Sequence, residues 1–282
     1  MRAEISVLGP VEVSIAGVSV VPTATKPRQL LTMLAINAGR VVTSATLMEE
    51  IWGMDPPRSA PGTLQTYVLQ IRRMIRQALG DDYHHDPHDG DDDAMEILHT
   101  RHTGYSLELA PETIDAVRYE EIALAGRTAG AEGDFETAEQ KLTAALDLWR
   151  GPALIDVTAG PQLEIEAMRL NESRLGDTTL RIDADLVLGR HHQLLGELAA
   201  LCARHPFMEN FRAQYMVALY RSGRPGQALE TFQEAATIMR EQLGVAPSAQ
   251  LRQIHRALLK GEHLVDDPKF MVNTWAPTAI AS

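Results

Sequence analysis

Thr63, Thr66, Gln70, Arg73 and Arg76 recur at intervals of three and four residues within an amphipathic stretch. At about 100° per residue they fall on one face of a helix, with Gln65 and Arg72 at its margin. That face is cationic and rich in hydrogen-bonding groups, and it holds no carboxylate, whereas a solvated face normally mixes signs. Arg and Gln can grip a base edge through paired hydrogen bonds, and Thr and Tyr hydroxyls suit phosphates or a thymine methyl. Taken alone such a face is also what plain solvent exposure produces, so its setting has to decide.

Other groups of side chains compete for a role. His84, His85, Asp86, His88 and Asp89 are dense in metal ligands. Placing Asp89-Gly90 at the centre of a calcium loop puts Glu96 at the bidentate position. His85 and Pro87 then stand where carboxylates are required. A solvated acidic loop is the preferred reading, with a structural metal as the alternative. Glu49-Glu50 and Glu120-Glu121 lie in helical contexts and read as surface charge. His191-His192 and His255 read as surface or groove residues. The one cysteine, Cys202, has Leu201 and Ala203 beside it and reads as a buried thiol. Nucleophile-elbow, phosphate-loop and His-Glu-x-x-His patterns are missing from the sequence, so no enzyme, cofactor or metal centre is expected.

The elements around the candidate face are legible from periodicity. Ile5, Val7, Val11, Val13, Ile15, Val18 and Val20 alternate with polar residues, with Gly9-Pro10 and Ala16-Gly17 between them, which predicts three short strands. Pro27 suits the first turn of a helix carrying Leu30, Leu31 and Leu34 and ended by Gly39. Val41-Val42 is a short extended link. Ser44 is expected to cap a second helix with Leu47, Met48, Ile51 and Trp52 on one face, closed by Gly53. Ser59 then caps a third helix to about Ala78, whose core stripe is Leu64, Val68, Ile71 and Ile75. Trp52 and Leu64 are assigned to the core. Beyond positions 80–94, Met95, Ile97 and His99 alternate against Glu96 and Leu98. A hairpin follows, with Arg101 and Thr103 at its tip, Gly104 at a positive-φ position, and Tyr105, Leu107 and Leu109 beyond. Helix, short link, helix and basic hairpin together describe a winged helix: one helix in the major groove, one hairpin in the neighbouring minor groove.

From Pro111 onward the pattern is helical and weakly repetitive. Gly133, Gly189 and Gly223 hold equivalent inter-helix places, the last two separated by the 34-residue tetratricopeptide period. The 56-residue interval before Gly189 suggests an extra helix around Leu163–Gly176. The expected organisation is a DNA-binding domain at 1–110, a tetratricopeptide-like domain at 111–262 and a tail at 263–282.

The whole chain of 282 residues carries 38 acidic and 26 basic side chains, a net charge of -12. That total argues against nucleic acid until it is divided. Residues 1–110 hold nine basic and fourteen acidic groups, and positions 81–96 supply eight of those acids. The remainder is +3, concentrated on Lys26, Arg28, Arg58, Arg72, Arg73, Arg76 and Arg101. Residues 111–282 are at -7. The start lacks the apolar run of a signal peptide and no 18-residue apolar stretch occurs, so a cytoplasmic protein without a membrane partner is expected.

Several motifs in order resemble the Streptomyces antibiotic regulatory protein family. They are Leu8-Gly9-Pro10-Val11-Glu12-Val13, Lys26-Pro27-Arg28-Gln29-Leu30-Leu31, Glu49-Glu50-Ile51-Trp52-Gly53, Thr63-Leu64-Gln65-Thr66-Tyr67-Val68 and Thr103-Gly104-Tyr105. Leu148-Trp149-Arg150-Gly151-Pro152-Ala153-Leu154, Ala184-Asp185-Leu186-Val187-Leu188-Gly189-Arg190 and Glu241-Gln242-Leu243-Gly244-Val245-Ala246-Pro247 continue the match. It covers about residues 4–262; the Asp/His loop and the tail depart from it. The resemblance implies an α+β winged helix-turn-helix of OmpR type followed by an all-α tetratricopeptide-like activation domain, in the small form of the family without an ATPase module. It further implies an activator of antibiotic genes that binds direct repeats in double-stranded promoter DNA near the -35 region. The implied partners are a second copy of itself on the DNA, RNA polymerase and its sigma factor. By position it assigns Thr63, Thr66, Tyr67, Gln70 and Arg73 to the recognition helix and Arg101 to the wing; with Lys26, Arg28, Arg58, Gln65, Arg72, Arg76, Thr103 and Tyr105 these make up the candidate DNA-binding residues. Tyr67 lies at the flank of the face, where DNA contact and core packing are both open.

Overall fold

Alternating side chains from Ala3 onward produce the expected strands. In the computed structural model, which describes residues 3–80 and 97–261, β1 (Ala3–Ser6), β2 (Glu12–Ile15) and β3 (Val18–Ser19) form an antiparallel sheet in that order. Ile5 pairs with Val13 and Ile15 with Val18. The β2–β3 connection, Ala16-Gly17, has φ values of 51° and 80°, the two left-handed residues of a tight hairpin turn.

Three helices follow. α1 (Thr25–Ile36) carries Pro27 in its first turn and buries Leu30, Leu31 and Leu34. After β4 (Val41–Thr43) comes α2 (Ser44–Trp52). Its cap is Thr43, not Ser44: the Thr43 Oγ1 accepts from the Thr46 N–H at 3.1 Å. Thr43 keeps the extended backbone that a cap requires, while Ser44 is already helical. α3 (Ala60–Leu79) buries Leu64, Val68, Ile71 and Ile75 as the spacing predicts.

β5 (Leu98–Arg101) and β6 (Gly104–Leu107) make the hairpin, and β4 joins β6 on its other side. Two expectations need correction here. Ile97 is buried as expected, but Leu98 is fully buried too, opposite Leu107, while His99 is only half-buried, so the expected alternation breaks at Leu98. Gly104 has no positive φ; a Cβ there would overlap the Val42 carbonyl and the Thr43 Cα. Glycine is required by the approach of β4, not by the turn. Met95 and Glu96 lie outside the described residues, as does the tail.

Helices α4 (Asp115–Ala131), α5 (Phe135–Leu146), α6 (Pro161–Val187), α7 (His191–Arg204), α8 (Glu209–Arg221), α9 (Pro225–Ile238) and α10 (Ala249–Lys260) follow among the described residues. Gly133, Gly189 and Gly223 occupy left-handed turns between helices, at φ of 84°, 77° and 72°. The extra helix expected at Leu163–Gly176 is not separate, because α6 runs unbroken for 27 residues.

Contacts divide the chain into two units: Met1–Glu121 with Ala145–Arg174, and Ile122–Ala144 with Leu175–Ser282. In the second, Leu198, Phe211, Met216, Val217, Ala228 and Leu251 share one core. Cys202 belongs to it, and burial pushes its thiol up to about 11.

In the first unit, the 145–174 segment is stitched to the sheet and helices. The Arg150 and Leu154 N–H groups donate to the Leu8 and Val7 carbonyls at 2.8 and 3.1 Å. Asp115 accepts from the Val7 and Leu8 N–H groups at 2.8 and 3.2 Å. Glu50, expected at the surface, is 2% exposed. Its carboxylate accepts from the Gly160 and Gln162 N–H groups at 2.6 and 2.8 Å, satisfying donors that the start of α6 leaves open.

Candidate nucleic-acid interface

The buried stripe of α3 fixes what its other side presents. Gln65, Thr66, Gln70, Arg73 and Arg76 are exposed and Thr63 is half-buried. Two threonine hydroxyls are turned back onto the helix: Thr63 Oγ1 donates to the Ser59 carbonyl and Thr66 Oγ1 to the Gly62 carbonyl, both at 3.0 Å. Gln77 is exposed one turn beyond Arg73, on the same side of the helix as Thr66, and Leu69 is 61% exposed. Neither belongs to the face expected from the sequence. Gln77 follows from the same helical arithmetic. Leu69 has no polarity signal, because a leucine in such a pattern reads as core.

Arg72 is a correction. It is 8% exposed, and its Nε and Nη2 donate to the Leu98 carbonyl at 3.0 and 2.7 Å, with Nη2 also reaching Thr100 Oγ1 at 2.9 Å. Its guanidinium therefore fastens the hairpin to α3 and is not offered to a ligand. Tyr105 is likewise 8% exposed, paired within the sheet between Val42 and Thr100. Burial takes it out of the candidate surface.

At the hairpin tip, Arg101, His102 and Thr103 are exposed. The Thr103 carbonyl accepts from the Ser44 N–H at 2.9 Å, which ties the tip to the start of α2. Arg101 is partly engaged: Nη2 donates to Glu108 Oε1 at 2.8 Å and Nε to Ser106 Oγ at 3.1 Å. The Ser106 hydroxyl and the Arg101 guanidinium hold the Glu108 carboxyl below its ordinary range.

The remaining cations are distributed unevenly. Arg58 is exposed in the turn before α3. Lys26 Nζ lies 5.1 Å from the centre of the Trp52 ring, and Tyr67 stacks on that ring at 6.2 Å and 11°. Trp52 is half-buried, so it is a platform between Lys26 and Tyr67, not a core residue. Arg28 reaches Asp156 at 2.7 Å and the Pro22 carbonyl at 3.1 Å, and so belongs to the stitching of the 145–174 segment. The cluster at His84–Asp89 lies outside the described residues. His255 is stacked on Phe232 at 3.8 Å, and burial lowers the pKa of both His191 and His255. Among the described residues, no helix is long and apolar enough to cross a membrane.

A sheet, three helices and an antiparallel hairpin, followed by helical pairs turned on glycine, define the class: a winged-helix transcriptional regulator with a helical activator domain. Comparison with known proteins agrees. Residues 19–85 match the model of "Transcriptional regulatory protein, C terminal", and residues 114–259 that of the bacterial transcriptional activator domain. The chain is 46% identical to the regulatory protein DnrI of Streptomyces peucetius, over 93% of this chain and 94% of that one. It is 34% identical to the transcriptional regulator RedD of Streptomyces coelicolor, over 94% and 73% of the two chains. Identity to the regulatory protein AfsR of Streptomyces griseus is 32%, over 93% of this chain but 25% of that one. The structure of Mycobacterium tuberculosis EmbR in complex with a low-affinity phosphopeptide superposes with a TM-score of 0.83 at 30% identity, covering 96% of this chain and 69% of that one. The chain belongs to the Streptomyces antibiotic regulatory protein family of transcriptional regulators.

Proposed function

We propose that this protein activates an antibiotic-type biosynthetic gene cluster by binding double-stranded promoter DNA. The observation that carries the reading is the exposed, carboxylate-free face of α3 beside an arginine-bearing hairpin. In it α3 enters the major groove with Thr66, Gln70 and Arg73 toward base edges, and Thr63, Gln65 and Arg76 at the margins. Arg58, Arg101 and Thr103 meet the backbone or the adjacent minor groove. Tyr67 and Lys26 act through the Trp52 platform by shaping the flank of the helix. The similarity to DnrI and RedD supports the class of genes controlled. By family resemblance the operator is a direct repeat near the -35 region. Two copies on one face of the duplex require a repeat of about 10–11 bp. The helical half, at -7 over residues 111–282, suits a basic surface on RNA polymerase or its sigma factor.

Footprinting on the promoters of the surrounding genes tests this. Arg73→Ala and Gln70→Ala should each weaken specific binding roughly 5- to 150-fold, the range for losing a good base-edge contact. Unchanged binding by both variants would sink the assigned face. Absent or salt-independent binding would instead favour a scaffold that does not contact DNA.

A further inference from the structure

Of the large apolar side chains on α3, only Leu69 is exposed; Leu64, Val68, Ile71 and Ile75 are at most 2% exposed. It stands one turn after Thr66 and one turn before Arg73. The proton of the Thr66 hydroxyl is committed to the Gly62 carbonyl, so its γ-methyl is what Thr66 adds beside Leu69. Gly62 brings no side chain. Arg72, three positions on, is withdrawn to Leu98. Leu69 and Thr66 therefore make an apolar spot bordered by Arg73 and Gln70, on a helix without a single carboxylate. A hydrophobic protein partner would need a broader apolar surface than this single spot, whereas here the surround is polar and cationic. In the major groove the apolar feature of the base edges is the thymine 5-methyl group.

We propose that Leu69, supported by the Thr66 methyl, is a specificity-determining residue that reads a thymine methyl. This rests on α3 being the DNA-reading helix. The contact is non-polar, so it separates thymine from cytosine and from uracil without any hydrogen bond.

The test starts with the full chain and a library of random duplexes, from which a preferred site is selected. Each thymine of that site is then replaced in turn by deoxyuridine, which removes only the methyl. Wild-type protein should lose about fourfold in affinity at one thymine per half-site, the equivalent of burying one methyl group. Leu69→Ala should bind the unmodified site more weakly and lose that sensitivity, while Leu69→Met should keep it. Wild-type indifference to deoxyuridine at every thymine overturns the proposal, as does full sensitivity in Leu69→Ala. Either result leaves α3 as the DNA helix if Arg73→Ala weakens binding to the selected site. Failure to enrich any sequence would overturn both readings. Melting of each variant checks its fold; at this exposure the transitions should coincide with wild type.

Discussion

Arg72 and Arg73 differ by one position and about 100° of helix rotation. That rotation separates a guanidinium bound to the Leu98 carbonyl from one left exposed for a partner. Replacing Arg72 would thus leave a buried carbonyl short of a donor, whereas replacing Arg73 touches only what arrives from outside. Arg101 lies between these cases, because Glu108 holds it at 2.8 Å. A carboxylate on the wing opposes an approaching phosphate backbone and competes for the same arginine. Glu108→Gln should therefore raise affinity for duplex DNA several-fold and increase by about one the number of counterions released, read from binding against salt concentration. The same pair gives a pH dependence with a definite sign. Because the Glu108 pKa is lowered in the folded state, its stabilisation of the wing is full above the ordinary glutamate range and disappears as the pH falls through the folded value. A Glu108→Gln variant with unchanged affinity and salt dependence would show that Arg101 takes no part in binding.

At the scale of elements, the junction of α2 and α6 carries the sharpest mechanical claim. Glu50 accepts two short backbone hydrogen bonds from the first turn of α6, and a Cβ at Gly160 would overlap the Glu50 carbonyl. Glu50→Ala leaves those part-buried donors without their acceptor and should cost about 1–3 kcal/mol, measured by denaturant unfolding. Glu50→Gln keeps the acceptor without its charge and should cost less. A loss within about 0.5 kcal/mol for Glu50→Ala would show that α6 does not depend on this cap. Such a contact was hidden in the sequence for a physical reason. Helical period assigns a face but not a partner, so Glu50 beside Glu49 looked like two surface charges. The strands, the α3 stripe and the glycine turns were legible because their signals are local. The register of β5, the role of Gly104, the burial of Arg72 and the length of α6 were not, since each is decided by a segment distant in sequence.

For the molecule as a whole, the net charge of -12 conceals a division of labour. The exposed side of α3 is cationic, and most of the anionic excess lies in the helical half and at positions 81–96. The organisation of the first unit is less expected, because two separated stretches of chain, Met1–Glu121 and Ala145–Arg174, build it. A fragment ending at residue 110 lacks Asp115, Arg150 and Asp156, which hold the backbone or side chains of Val7, Pro10, Val11 and Arg28. That fragment should melt well below the same unit in the full chain and bind promoter duplexes more weakly, as thermal denaturation and gel shifts would show; equal melting would mean that the strands and three helices stand alone. There is also an order in time. A ribosome makes the chain from one end, and the last stitches of the reader come from residues 150–163, after α5 has been made. The nascent regulator therefore cannot complete its DNA-reading unit until part of its activator has been synthesised. A product cut short before residue 145 would therefore be expected to compete for promoter DNA only weakly.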